Sequence, residues 1–472
     1  MNDFLIIIPP YIIDNSGLAI IPNKAMLPVG PLSIASGLIK KRQNVKVVDL
    51  VFETNWKEKL SLDFSSVPHI LLSCHTIRNI TPCKLVFEEI RKKRFKGHIT
   101  LGGNACIELN KNNFFALGLE VDTVIKGYSH GLIEEIISKA EGDLSPSKEE
   151  IKSELLPPAC NLLNKETLKK YLYYSKGRYP LIGHGYGCSF DCSYCTADMN
   201  SRWVERSIDE ILPEINIAKK LGYNHLWCVD NLISLNPERT IVFDKIVSKE
   251  NLTWSGMDRA EIIIKKPNLL KNLKSLKGLA MGIETTSEKQ LKIFKRTISS
   301  EVYPRAFKLA KEAGIASTAF VILDCPETDE SDFWELYNYL NNEIKPSSVS
   351  ISFYNPPAYK GLFELDLRPT DFGFYKWPLG FSNTRKIRTV QQAMSICGTW
   401  WLGWKLNMGS PFFENDFEVG VNFQEGKILQ KPSARSPTGD IWEMWIKRIK
   451  RSLIKDKKES KNENNKSKYK IA

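Results

Sequence analysis

Apolar and polar positions in the first 150 residues follow two alternating periods. Strand-like runs rich in apolar residues stand at Phe4–Ile8, Val45–Leu50, His69–Ser73, His98–Leu101 and Val121–Ile125, and between them Leu32–Arg42 and Cys83–Lys93 are apolar at helical spacing. Short apolar runs bounded by turn residues read as strands buried on both faces, and the 3.6-residue period reads as helix. Strands alternating with helices predict an α/β, doubly wound parallel sheet of Rossmann-like type. Ligands of such a sheet lie beyond the carboxyl ends of its strands. Here those ends are Pro9-Pro10, Ser73-Cys74-His75-Thr76, Gly102-Gly103-Asn104 and Gly127-Tyr128.

The charged, proline-flanked stretch Glu141 to Pro158 has no hydrophobic face until its end and reads as a linker. A second alternating series follows. Asn161–Tyr174 predicts a lead-in helix and Tyr179–Ile182 a strand, then Ile208–Leu221 a helix and His225–Val229 a strand. Leu252–Met257 and Leu279–Ile283 read as strands with the helix Lys266–Lys274 between them, and Ser317–Leu323 and Ser348–Tyr354 follow the helix Val302–Ala313. The series suits a partial (β/α)6 barrel with its chemistry on loops at the strand C-termini. The expected organisation is 1–140, a linker 141–175, a second domain 176–360, a segment 361–455 and a tail 456–472.

The segment 361–455 is aromatic: Trp377, Trp400, Trp401, Trp404, Trp442 and Trp445 lie in it, with Phe372, Phe374, Tyr375 and Phe381. It is expected to cover the open end of the barrel and shape a substrate cavity, with an ordinary aromatic core as the alternative. Asp440–Lys455 reads as a helix with Trp442, Trp445, Ile446, Ile449 and Leu453 near one face and Lys/Arg opposite. Such a helix either docks on the protein, the preferred reading, or lies on an anionic membrane. Residues 456–472 cannot bury apolar surface and read as a disordered basic tail.

Composition changes this picture in one place. The net charge is +12, but residues 441–472 supply +7 of it, so the body is only mildly basic and a nucleic-acid partner is not expected. No run approaches the roughly 20 apolar residues of a membrane-spanning helix, and the N-terminal apolar run lacks a basic lead-in, so a cytoplasmic protein is expected.

The chemistry concentrates in Gly183 to Asp198, G-H-G-Y-G-C-S-F-D-C-S-Y-C-T-A-D, which places Cys188, Cys192 and Cys195 at C-x3-C-x2-C with Tyr194 before the third. Three thiolates on one glycine-led loop can ligate three irons of a cubane cluster that usually takes four cysteines, leaving one iron open to a ligand. A structural zinc site normally takes four ligands in paired knuckles, and no second C-x2-C or H-x3-H accompanies this loop. Three unrelated buried thiols are the other alternative.

The loop resembles the signature of the radical S-adenosylmethionine (SAM) enzymes. The resemblance implies a [4Fe–4S] cluster on the three cysteines, which are then the catalytic and metal-binding residues, and SAM on the open iron. M-G-I-E-T-T-S looks like the family's G-I-E-S segment, so Glu284 is expected to hydrogen-bond SAM, while V-D-N-L resembles the acidic end of the second strand, with Asp230 and Asn231 facing the site. Tyr194 joins these as a cofactor-binding candidate. L-D-C-P-E-T-D stands where the family has G-L-P-G-E-T but lacks both glycines.

The first 140 residues, through L-P-V-G-P-L, L-L-S-C-H-T, L-G-G-N-A and V-D-T-V-I-K-G, look like the cobalamin-binding domain that precedes many radical SAM domains. That likeness makes Pro28, Gly30, Ser73, Cys74, His75, Thr76, Gly102, Gly103, Asn104, Gly127 and Tyr128 candidate cobalamin contacts. The Asp-x-His-x-x-Gly motif that gives cobalt a histidine in cobalamin mutases is missing from the chain.

The resemblance implies a cobalamin-dependent radical SAM methyltransferase. In the family logic SAM is cleaved to a 5′-deoxyadenosyl radical, and a methyl group passes through methylcobalamin to an unactivated carbon of a biosynthetic intermediate, with a natural-product intermediate, a peptide precursor and a lipid all open as substrates. The same cofactors used for cyclisation, ring contraction or rearrangement form the second reading, and a membrane-associated cofactor-binding sensor the third. The expected partners are a small-molecule or peptide substrate and an electron donor such as flavodoxin or ferredoxin.

Overall fold

A computed structural model describes residues 3–353, apart from 14–16, 23, 62–63, 65–66, 77–78, 196–202, 297, 300, 324 and 326–329, together with the short strand pair Val421–Asn422 and Lys427–Ile428. The expectations for the tryptophans of segment 361–455, for the helix Asp440–Lys455 and for the tail lie outside the described residues. The chain divides into two compact units, one formed chiefly by residues 1–279 and the other chiefly by 280–311 and 316–354.

The first unit opens with the expected doubly wound sheet. Its six strands run in the order Val45–Asp49, Phe4–Ile8, His69–Ser73, His98–Gly102, Thr123–Ile125, Gly142–Leu144, all parallel. Successive side chains of a strand point to opposite faces, and the packing obeys that period. Leu5, Ile7, Ile70, Leu72, Ile99, Leu101 and Val124 pack on one face with Cys83, Val86, Phe87 and Ile90 of the helix Ile80–Lys92. Phe4, Ile6, Leu71 and Ile125 pack on the other with Ala35 and Leu38 of the helix Val29–Lys40. Each fully buried aliphatic or aromatic side chain contributes about 1.5–3 kcal/mol, which is why continuous apolar runs suit central strands covered on both sides.

The sixth strand lies where a linker was expected. Gly142–Leu144 pairs with Thr123–Ile125 at the sheet edge, and Lys148–Ile151 forms a helical turn whose Ser147 and Glu150 cap each other. An edge strand has one neighbour and needs little apolar surface, so its composition resembles a linker's.

The same unit continues with the parallel strands Arg178–Leu181, His225–Cys228 and Thr253–Asp258. The helix Ile208–Lys220 starts at a Ser207 cap. The helix Pro237–Lys249, which apolar periodicity does not reveal, starts where the Asn236 side chain accepts from the Arg239 N–H and proline occupies the first turn. The expected helix Lys266–Lys274 is instead two short helices, Ala260–Lys265 and Leu269–Asn272. Pro267 lies between them and disfavours helical backbone at the residue before it.

The second unit takes up the strand Leu276–Glu284 from Ala280 onward. It contains the helix Val302–Glu312 and the parallel pair Ala316–Leu323 and Ser348–Phe353. Among the described residues no helix is long and apolar enough to cross a membrane.

Candidate functional site

The cysteine loop leaves the strand Arg178–Leu181 and is fixed at its root by Asp230, which follows the neighbouring strand. The Gly183 N–H donates to Oδ2 of Asp230 at 2.8 Å, and the N–H groups of His184 and Gly185 donate to Oδ1 at 2.6 and 2.7 Å. Burial raises the Asp230 carboxyl above the usual carboxylate range, and these three N–H groups oppose that rise. Gly185 pairs with Glu205, and a Cβ there would meet the Val204 carbonyl oxygen at 2.4 Å, so the close approach requires glycine. One residue before the first cysteine the peptide is held from both sides. The Gly187 N–H donates to the Tyr128 hydroxyl at 2.8 Å, and Asn231 Nδ2 donates to the Gly187 carbonyl at 3.1 Å. Asp230 and Asn231 thus hold the loop backbone, and Tyr128 reaches it from the end of the sheet's fifth strand.

Beneath the loop lies a buried network of charge. Arg206 donates from Nη1 to the Ile182 carbonyl at 2.7 Å, from Nη2 to the Leu155 carbonyl at 3.2 Å, and forms an ion pair with Glu214. Arg239 Nε donates to the Arg206 carbonyl at 2.9 Å, and its Nη1 lies 3.2 Å from Nδ1 of His184. A guanidinium can only donate, so Nδ1 of His184 accepts and the ring is the neutral Nε2–H tautomer. Burial, helped by the Arg239 charge, holds the His184 pKa well below its ordinary value. A buried charge is tolerated only when it is paired and hydrogen-bonded; Arg206 meets that condition through Glu214 and the carbonyls, and Arg239 through the Arg206 carbonyl and Glu205 at 4.0 Å.

Of the three cysteines, Cys192 is buried and Cys188 and Cys195 are half-buried; none forms a disulfide. The Cys195 N–H donates to the Cys192 carbonyl at 3.2 Å, closing a turn that contains Tyr194. Burial pushes the Cys188 thiol up, while the Phe190 N–H and the Arg259 charge favour its thiolate. Arg259, at the end of the strand Thr253–Asp258, stacks on Phe190 with 3.8 Å from guanidinium carbon to ring centroid, and its Nη1 donates to Cys192 Sγ at 3.3 Å. Asp258 beside it is fully enclosed, and burial raises its pKa to about 7. Among the described residues no three His, Cys, Asp or Glu side chains converge on a single metal ion. A cubane cluster asks each thiolate for a different iron, so its three thiols need not converge on one point. Three thiols on one loop, with a cation against one of them, fit that cluster.

Arg259, Asp258 and Phe190 are not singled out by motif spacing. The one available signal is position, since Asp258-Arg259 stands at the carboxyl end of a strand in a parallel series.

The sheet's candidate residues are brought together only in part. The loops after the third and fourth strands touch. The Cys74 N–H donates to the Gly102 carbonyl at 2.7 Å, and a Cβ on Gly103, whose φ is +115°, would meet the Cys74 carbonyl oxygen at 2.3 Å. His75, Gly103 and Asn104 are exposed at this edge. The His75 ring stacks on Tyr11 at 6.3 Å. Asn79 accepts from Thr76 and donates to the Tyr11 carbonyl at 3.0 Å. The Cys74 side chain turns into the core, so only its backbone faces the edge. Ser73 and Gly127 are half-buried, and Pro28 and Gly30 begin the helix Val29–Lys40.

In the second unit Glu284 ends its strand at a φ of +66°, a region that side chains rarely adopt. Its buried carboxylate pairs with Arg296 at 2.8 Å, and Arg296 Nη2 donates to the Gly282 carbonyl at 3.0 Å. Of L-D-C-P-E-T-D, positions 324 and 326–329 lie outside the described residues; Cys325 is buried.

Comparison with known proteins matches the cysteine loop to a class. Residues 182–340 match the family model described as the Radical SAM superfamily. The chain therefore carries a radical SAM domain, which implies a [4Fe–4S] cluster and SAM, and Cys188, Cys192 and Cys195 are the residues that fit the cluster. No curated protein matches the chain. Among solved structures it is similar to the radical S-adenosylmethionine methyltransferase TsrM from Kitasatospora setae with tryptophan substrate and a SAM analogue bound, at 13% identity and a TM-score of 0.61, covering 74% of this chain and 73% of that one. The same methyltransferase with cobalamin and a [4Fe–4S] cluster bound gives 13% identity and a TM-score of 0.60, covering 75% of each chain.

Proposed function

We propose that the protein is a cobalamin-dependent radical SAM enzyme that transfers a methyl group from SAM to an unactivated carbon of a small-molecule or peptide substrate. The carrying observation is the Gly187 clamp. The peptide next to the first cluster cysteine is bonded to Tyr128, at the carboxyl end of the doubly wound sheet, and to Asn231, beside the strand that anchors the loop. That junction ties the loop after the fifth strand of a Rossmann-like sheet to the three-cysteine loop. The TsrM structure that holds both cobalamin and a cluster, similar over three quarters of the chain, supports the reading.

When bound, the cluster supplies the electron that cleaves SAM, and cobalamin supplies a methyl carrier suited to a carbon with no acidic proton. The chain's own residues position these groups. Cys188, Cys192 and Cys195 would hold three irons and leave the fourth to SAM. Asp230 and Asn231 keep the loop in one conformation, and Gly103, without a Cβ, lets the loops after the third and fourth strands pack together at the exposed edge where a corrin would lie. The electron would come from a small donor protein of the flavodoxin or ferredoxin type.

The test is anaerobic reconstitution of the full chain with iron, sulfide and cobalamin, followed by reduction and addition of SAM. The wild type should bind one cluster and one corrinoid and release 5′-deoxyadenosine and S-adenosylhomocysteine. Changing Cys188, Cys192 and Cys195 to Ala should abolish cluster absorbance and SAM cleavage while corrinoid binding persists. Full iron content in that triple variant would refute the cluster assignment. With a substrate in hand, a product lacking the labelled SAM methyl group would replace methylation by rearrangement.

A further inference from the structure

We infer that Arg259 is a positioning residue that raises the reduction potential of the cluster through Cys192, and that Glu261 restrains it. The inference rests on the proposed cluster site and adds to it the device that sets its redox poise.

Three contacts fix the guanidinium. One face lies on the Phe190 ring at 3.8 Å, Nη1 donates to Cys192 Sγ at 3.3 Å, and Nε is ion-paired with Glu261. The Arg259 and Glu261 side chains are only 12% and 19% exposed, and Cys192 is buried. Water therefore screens these charges weakly, and an N–H to a thiolate is a charge-assisted hydrogen bond. Phe190 lies between two of the cysteines, so the stacking also ties the loop's midpoint to the strand that carries Arg259.

The redox consequence has a definite sign. Reduction adds one electron from an external donor, [4Fe–4S]2+ + e− → [4Fe–4S]+, and makes the cluster with its thiolates more negative. A fixed cation against one thiolate stabilises the reduced form more than the oxidised form, and hydrogen bonds to sulfur and local charge are known levers on cluster potential. Arg259 therefore favours reduction. Glu261 offsets part of its charge and acts the other way. Lysine would keep the charge but lose the planar fork that stacks and bonds at once.

The test is a dithionite-mediated redox titration followed by electron paramagnetic resonance. It uses the reconstituted full chain without SAM, with iron counted in each sample. Arg259→Gln should lower the equilibrium constant for reduction about tenfold, a fall of about 59 mV for a one-electron couple. Arg259→Lys should recover part of the loss. Glu261→Gln should shift the midpoint upward. If Arg259→Gln does not hold a cluster, the Glu261→Gln shift alone decides. Unchanged midpoints at full iron content, or shifts of the same sign in both variants, overturn the inference. A role in gripping SAM instead would leave the SAM-free midpoints unmoved and weaken SAM binding, which overturns it too. Failure of the wild type to take up a cluster would refute the site itself, an outcome separable from these.

Discussion

The sheet that ends at Leu144 and the strands that lead into the cysteine loop are both parallel and both buried, yet different chemistry holds them. The sheet's two faces are filled by apolar clusters around Leu5, Ile70 and Leu101 on one side and Phe4, Ile6 and Leu71 on the other. Under the cysteine loop the buried side chains include Arg206, Glu214, Asp230, His184 and Arg239. An apolar core needs volume and period and tolerates exchange of similar side chains. A charged network needs every partner, because one member removed leaves another buried without compensation. The first kind builds a platform; the second commits one loop to one conformation.

The sharpest way to break that contrast is to damage each region once. Arg206→Met strands Glu214 and should cost about 3–5 kcal/mol. Leu72→Ala in the sheet should cost about 2–5 kcal/mol through the cavity it leaves. The two ranges overlap, so iron content per folded chain separates them. It should fall in Arg206→Met and hold in Leu72→Ala. Replacing the pair together, Arg206→Met with Glu214→Leu, should restore much of the stability, since an apolar pair needs no partner. Equal cluster loss from Leu72→Ala would show that the platform and the loop are not separable.

The same contrast explains what was legible in the sequence. Phe4–Ile8 and His69–Ser73 are readable to the residue because the buried centre of a parallel sheet's strand is a continuous apolar run, Ile70-Leu71-Leu72 in the second case. The cysteine loop is readable because metal ligation fixes residue type and spacing together. The edge strand Gly142–Leu144 was hidden, since an edge need not be apolar, and so was the helix Pro237–Lys249, whose signal is the Asn236-Pro237 start rather than a stripe. Asp230 was readable as a polar strand end but not as the acceptor of three loop N–H groups. Arg259 was hidden altogether: its partners Phe190 and Cys192 are distant in sequence, and a long-range pairing of that kind has no local period.

A smaller effect tests the polar contacts that the two regions share. His225, at the start of its strand, bridges Thr253 at 2.7 Å and Ser255 at 2.8 Å, as His69 bridges Thr100 at 2.8 Å in the sheet. Burial lowers both pKa values to about 3. The unfolded chain binds the proton near the ordinary histidine value of about 6.5, so between pH 6.5 and 3 the unfolded state holds more protons. The stability from each neutral histidine is therefore fully present above pH 6.5 and is lost as pH falls below it. The loss is about 2 kcal/mol by pH 5 at 1.36 kcal/mol per unit. Chemical denaturation at pH 8 and pH 5 should show His225→Asn less stable than wild type at pH 8, with the gap narrowed by about that amount at pH 5. A gap that stays constant would mean that His225 titrates in the folded chain as it does in the unfolded one.

The smallest change addresses the junction itself. Tyr128 touches both regions: its ring packs edge-on to Tyr186 at a centroid distance of 4.9 Å, and its hydroxyl accepts the Gly187 N–H at 2.8 Å. Tyr128→Phe keeps the ring and removes only the acceptor, so the expected cost is that of one hydrogen bond, about 1 kcal/mol. The Gly187 carbonyl keeps its bond from Asn231 at 3.1 Å, so the loop should still form and bind its irons. What should change is how firmly it holds them, because the peptide beside Cys188 is then restrained from one side. Tyr128→Phe should lose iron to a chelator faster than wild type at equal starting content, and Asn231→Ala should do the same through the other contact. The double variant should lose iron faster than either, since both bonds restrain one peptide. Unchanged chelation rates in all three would show that the cysteines alone hold the cluster and that the sheet contributes no restraint to the loop.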